Sequence, residues 1–165
     1  MTDAILTINA GSSSVKFCLF GDDEKLPLLA HGEASGIGNQ PILRLHDSAS
    51  TEQPLPPQTT HETALRAIID WIGTHKNEWQ IKAAAHRIVH GGTEFTQAVR
   101  VTSDVFHRLK ELCPLAPLHQ PHNLFALGII ERLLPHVPQI ACFDTAFHAQ
   151  HDALFSSYAL PDDLT

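Results

Sequence analysis

The sequence predicts an α/β layer fold, on three observations. Two apolar runs near the N-terminus, Ile5 to Asn9 and Val15 to Phe20, flank a Gly and Ser turn and read as a β-hairpin. Helical and strand-like patterns then alternate along the chain. An apolar run from Gln139 to Phe143 finally reads as a strand that delivers Asp144 to its end. Hairpins followed by helix and strand in alternation imply a mixed sheet flanked by helices.

The remaining elements follow in order. Leu28 to Ala34 is a third strand and Ile42 to His46 a shorter fourth. Asp47 to Thr59 places Pro54, Pro56 and Pro57 among polar residues, which suits an exposed loop and not a domain boundary. Thr59 and Glu62 match a capping box, and Leu65, Ile68, Ile69 and Ile72 recur at helical spacing. A helix from about Thr60 to His75 with one face inward is therefore expected. Lys82 to Val89 follows as a buried strand. Ser103 or Thr102 caps a second helix through Val105, Leu109 and Leu112, which Pro114 stops. A longer third helix runs from near Pro121 to Leu134, with Pro135 beyond it.

Composition bounds the function. At 165 residues with 43% hydrophobic content, the chain can bury a core, and its size favours one domain. A formal net charge of -7 argues against nucleic acid, because phosphate backbones select basic surfaces. No apolar run approaches the ~18 to 20 residues of a membrane span, and Asp3 stands where a secretory signal would be basic. A cytoplasmic location is expected. Cys18, Cys113 and Cys142 are odd in number, far apart and without a CxxC pair, which fits reduced structural thiols. Twelve histidines raise a metal question, chiefly through His119 with His122 and His148 with His151. That spacing lacks Cys or Glu partners at zinc-site intervals, so a native zinc site is not expected.

Chemistry concentrates first in ILTINAGSSSVK, residues Ile5 to Lys16. A small hydroxyl-rich turn exposes backbone N–H groups and the Ser12, Ser13 and Ser14 side chains to an anion, and Lys16 adds a compact charge. An ordinary hairpin turn is the competing reading. The segment is not a Walker A loop, which needs a second Gly before the Lys and a Ser or Thr after it; Val15 and Phe17 stand there. Asn9 is polar where the first strand leaves the core, and it fits either of two roles: orienting a water on Mg²⁺ or supporting the turn.

Three further segments are AHRIVHGG from Ala85, LAPLHQPHN from Leu115 and ACFDTAFH from Ala141. Together with INAGSSSVKF they resemble the acetate kinase (acetokinase) family, whose members phosphorylate short-chain carboxylates with ATP. The resemblance implies a ribonuclease H-like (actin-like ATPase) lobe. It also implies ATP/ADP and Mg²⁺ as cofactors, acetate, propionate or butyrate as substrate, and acetyl phosphate or its homologue as product. By the same resemblance, Asn9 belongs to the magnesium site and Ser12, Ser14 and Lys16 contact phosphate. Arg87 of HRxVHGG binds the carboxylate, while Val89 and Leu118 wall the alkyl pocket. His119 donates to a phosphoryl oxygen. Asp144 matches an essential aspartate, assigned to organising magnesium or a positively charged neighbour and not to general base duty. After His119, Gln-Pro-His departs from the family's more usual Asn-Pro-Pro and leaves that loop's geometry open.

The family's pattern continues beyond the equivalent of Tyr158-Ala-Leu-Pro into an HGTSH-like block, a second arginine, adenine-binding segments and a late magnesium-linked glutamate. This sequence reaches Thr165 before any of them. The expectation is an N-terminal lobe, residues 1–165, that holds half an active site and is inactive alone, from an enzyme that is a homodimer at full length. The alternatives are a non-catalytic remnant that binds a ligand or a protein, and a sugar-kinase-like or chaperone-like ATPase lobe, which HRIVHGG and LAPLHQPHN disfavour.

Overall fold

Period-two alternation sorts the first strand into two faces. In a computed structural model describing residues 1–147 and 149, β1 (Thr2–Ala10) buries Ala4, Leu6, Ile8 and Ala10 on one side. β2 (Ser14–Gly21) returns antiparallel and adds Val15, Phe17 and Leu19 to that face. β3 (Leu28–Ser35), β4 (Ile42–His46) and β5 (Ser50–Pro54) continue the antiparallel meander. Helix α1 (His61–Thr74) then crosses over, and β6 (Trp79–Ile88) pairs parallel to β1. A two-residue strand β7 (Val99–Arg100), α2 (Ser103–Glu111) and α3 (Gln120–Leu133) precede β8 (Gln139–Phe143), which is parallel to β6 and antiparallel to β7. The sheet order is β5-β4-β3-β2-β1-β6-β8-β7.

The described helices cover one face of this sheet. Leu65, Ile68 and Ile72 of α1 and Ile129 and Ile130 of α3 join Leu6, Ile8, Phe17 and Leu19 in the larger core cluster. Leu109 of α2 joins Leu124, Leu127, Ile88 and Phe143 in a second. Covering a mixed sheet this way leaves the C-terminal ends of β1, β6 and β8 side by side. That edge is where open α/β sheets bind ligands.

Several elements differ from the sequence expectation. The expected loop 47–59 contains β5, which pairs with β4 through its backbone while all its side chains stay exposed. An edge strand with no buried side carries no periodic signal. The capping box lies one residue later than expected. Thr60 is the cap, its hydroxyl accepting from Thr63 N–H at 3.3 Å and its N–H donating to Thr63 Oγ1 at 2.9 Å. Thr59 instead donates its hydroxyl to Pro56 O, and Glu62 pairs with Arg132. β6 begins at Trp79 and is buried on one face only, so Val89 lies just beyond it. Thr102, not Ser103, caps α2, and β7 was not anticipated.

Candidate functional site

The Gly11–Ser14 turn is held by its carbonyls. Asn123 Nδ2 donates to Ala10 O at 2.8 Å, His61 Nε2 lies 2.7 Å from Gly11 O, and Ile37 N–H donates to Ser13 O at 3.0 Å. Gly11 N–H closes the hairpin on Ser14 O at 2.8 Å. In a trans peptide the C=O and the following N–H point in opposite directions, so anchoring Gly11 O on His61 turns the Ser12 N–H away from α1. Ser12 and Ser13 are exposed, and their N–H groups have no acceptor among the described residues. Such amides beside serine hydroxyls are the donor types that an anion site uses.

The start of α3 ties that turn to the end of β6. Asn123 is buried, and while its Nδ2 holds Ala10 its Oδ1 accepts from Val89 N–H at 3.0 Å. Gln120 is fully buried and treats His90 in the same way, accepting from its N–H at 3.2 Å and donating to its O at 2.9 Å. The Gln-Pro-His variant of the loop therefore makes a specific backbone clamp. Gly91 N–H donates to Thr145 Oγ1 at 3.0 Å, which joins the end of β6 to the turn after β8. The glycine pair is needed here: a Cβ on Gly91 would come within 2.5 Å of Phe95 O, and Gly92 has φ +63°.

Across this edge runs a charged row on the face that the described helices leave open, called the uncovered face below. Arg87 presents its fork to Asp144, with Nε at 2.9 Å and 3.1 Å from the two carboxylate oxygens and Nη2 at 2.7 Å from Oδ2. The Asp144 hydrogen bond raises the Arg87 pKa, opposed by partial burial, so the guanidinium is charged at any working pH. Lys16 lies opposite Asn9 in register and reaches Glu33 at 3.8 Å; Glu33 in turn meets Arg44, which pairs with Glu52. Thr7, Asn9, Lys16, Cys18, Arg87 and Cys142 line one depression of about 380 Å³. Burial raises the Cys142 thiol pKa, so it is a poor nucleophile.

The expected residues divide into groups. Asn9, Lys16 and Arg87 share the depression, Ser12 and Ser14 sit on the adjoining turn, and Asp144 is held by Arg87. His119 caps the N-terminus of α3 without a side-chain hydrogen bond and is exposed. Leu118 is 76% exposed, so it is no core residue of this chain, and Val89 is half-buried. His122 stacks on His61, while His148 and His151 lie outside the described residues. Sequence reasoning missed His61, Gln120 and Asn123. The last two stand out in hindsight as polar residues inside an apolar helical stretch, which must be satisfied by something.

Comparison with known proteins agrees with this architecture. The sequence profile of the acetokinase family matches residues 4–165. An acetate kinase of Rhodopseudomonas palustris is 40% identical over the whole of this chain, which covers 43% of that protein. The chain thus spans less than half the length of such relatives. Among solved structures, a propionate kinase from Francisella tularensis matches 98% of the chain with TM-score 0.87 at 30% identity, the chain covering 42% of it. An acetate kinase of Porphyromonas gingivalis matches the same share with TM-score 0.86 at 34% identity, again with 42% of it covered. These structures share the actin-like α/β fold. With the profile match running to Thr165 from the fourth residue, the chain belongs to the acetokinase family.

Proposed function

We propose that this chain is the N-terminal lobe of a carboxylate kinase that transfers the γ-phosphoryl group of ATP to acetate, or to propionate or butyrate. The observation that carries the proposal is the Gly11–Ser14 turn, with its Gly11 and Ser13 carbonyls anchored and its Ser12 and Ser13 amides without an acceptor among the described residues, on the same sheet edge as the Arg87 fork. In the reaction a carboxylate oxygen attacks the γ-phosphorus in line, the bond to the ADP oxygen breaks, and an acyl phosphate and ADP leave. Two anions must meet, so charge neutralisation and alignment dominate the barrier.

Each residue has a part in that reading. Ser12, Ser14 and Lys16 hold the phosphate chain. Arg87 holds the carboxylate, Val89 and Leu118 bound its alkyl end, and His119 donates to a transferring phosphoryl oxygen. Asp144 orients Arg87, with which it makes three contacts of 3.1 Å or less. Among the described residues no three of His, Cys, Asp and Glu converge as a metal cage. Asn9 is a single oxygen donor, which fits Mg²⁺ because that ion keeps several waters and is held largely by substrate phosphates. When bound, the ion neutralises phosphate charge. We assign the remaining positive charge, the adenine contacts and the dimer contacts to protein beyond this lobe, and the enzyme to the cytoplasm.

The test is a hydroxamate assay for acyl phosphate with ATP, Mg²⁺ and acetate. A full-length context, for instance this chain completed with the rest of the Rhodopseudomonas palustris relative, is expected to turn over. The 165-residue chain alone is expected to be silent; turnover near ~10 per second would sink the lobe reading.

A further inference from the structure

We propose that His61 is a positioning residue that holds the 11–12 peptide unit in its anion-receiving orientation. The inference rests on the phosphate-binding reading of this turn. His61 is the first residue of α1, and the Thr60 capping box fixes where that helix begins. Its Nε2 lies 2.7 Å from Gly11 O across fifty residues of sequence. A carbonyl only accepts, so Nε2 carries the proton. The ring is steadied from behind by stacking on His122, with centroids 5.6 Å apart and planes 27° from parallel. His122 belongs to the first turn of α3, the same turn whose Asn123 anchors Ala10 O.

The consequence follows from peptide geometry. Gly11 C=O and Ser12 N–H belong to one trans peptide unit and point in opposite directions. Pulling Gly11 O toward α1 therefore aims Ser12 N–H away from the helix, where no described residue accepts it. Without the imidazole, nothing described holds that carbonyl: Gly11 N–H goes to Ser14 O, and Gly11 O accepts from His61 alone. Gly11 imposes little torsional barrier, so the unit would be free to flip and present a carbonyl oxygen to the phosphate. An anion site that alternates between an N–H and a C=O loses affinity in proportion to the time spent flipped.

The experiment is a two-dimensional ¹⁵N NMR titration of the chain with inorganic phosphate, following Ser12 and Ser13. In the wild-type chain the Ser12 amide should shift downfield and saturate. His61→Phe keeps an aromatic ring against His122 and removes the donor. It should abolish the Ser12 response and weaken phosphate binding about fivefold, the value of one ordinary hydrogen bond. His61→Gln restores an N–H donor and should recover most of the response. In a full-length context, His61→Phe should raise the ATP KM by a similar factor while the acetate KM stays within twofold. A wild-type chain whose Ser12 and Ser13 amides ignore phosphate would overturn the functional reading together with this proposal. A wild-type response that His61→Phe leaves unchanged overturns the role of His61 alone, as does equal loss in His61→Phe and His61→Gln.

Discussion

His86 and Arg87 are neighbours in one strand and live in opposite environments. His86 faces the helices and is 2% exposed, and burial pushes its pKa down to about 4. Arg87 faces the uncovered side with half its side chain in solvent and a carboxylate across its fork. One step along β6 thus separates a residue whose charge the fold forbids from one whose charge it displays. The same division runs through β1, where Leu6 and Ile8 face the core while Thr7 and Asn9 face the depression. Stability is built on one side of the sheet and the ligand chemistry that we propose lies on the other, so substitutions on the two sides should fail in different assays.

The largest effect belongs to the covered side. His86 Nε2 and Gln139 Oε1 are both buried and close no full hydrogen bond, although Gln139 is near enough to offset part of the burial effect on the imidazole. In the unfolded chain His86 protonates near its ordinary 6.5, while the native state stays neutral down to about 4. Between those values the unfolded state binds the extra proton, so stability is full above 6.5 and declines as pH falls toward 4. The gap is worth about 3 kcal/mol. Urea unfolding of wild-type and His86→Gln chains at pH 7.5 and pH 4 reads it, the wild type losing about 3 kcal/mol more than the variant. Parallel losses would place the acid sensitivity elsewhere.

On the uncovered side, Asp144→Asn in a full-length context should lower kcat at least ~100-fold, about 2.7 kcal/mol of transition-state stabilisation, because Arg87 loses the carboxylate that orients it. The melting temperature should barely move, since a half-exposed ion pair contributes at most about 1 kcal/mol. A variant that melts several degrees lower yet keeps its activity per folded molecule would make the pair structural. Arg87→Ala is expected to raise the acetate KM about thirtyfold, the worth of one charge-assisted pair, and to lower kcat as well, because the fork both holds and orients the nucleophile. The modest value of the Arg87–Asp144 pair matters here as well. A substrate carboxylate can share or displace Asp144 without a prohibitive cost, so an occupied fork is compatible with binding.

How much of this was legible in the sequence depends on which side of the sheet a residue serves. The hairpin, the three helices and the strand before Asp144 were readable because burial imposes periods of two and of about 3.6. β5 was not, because no side chain of Ser50–Pro54 is buried. β7 is two residues long and defined only by its bonds to β8. The capping box was found but misplaced by one residue, since Thr59, Thr60 and Thr63 offer competing hydroxyls. At the candidate site, Ser12, Lys16, Arg87 and Asp144 stand in motifs of the sequence. Asn123, Gln120 and His61 act on backbone groups 30 or more residues away, and no local pattern encodes such partners.

The smallest predicted effect on stability is also the sharpest test of the turn at the sheet's edge. Gly11 shows no left-handed φ, and a Cβ built there would meet only Ser14 Oγ at 3.7 Å and Ser14 O at 3.8 Å, both ordinary contacts. The backbone therefore does not demand glycine at this position. Gly11→Ala should stabilise the chain by about 0.4 to 1 kcal/mol through the unfolded state, raising the melting temperature by one to a few degrees. Yet the methyl would stand against Ser14 Oγ, on the turn that we assign to phosphate, and should weaken phosphate binding about tenfold. A protein that melts higher and binds phosphate worse separates stability from binding in a single substitution. Lower stability would mean that the turn needs glycine for its own conformation, and unchanged phosphate affinity would mean that the anion sits elsewhere.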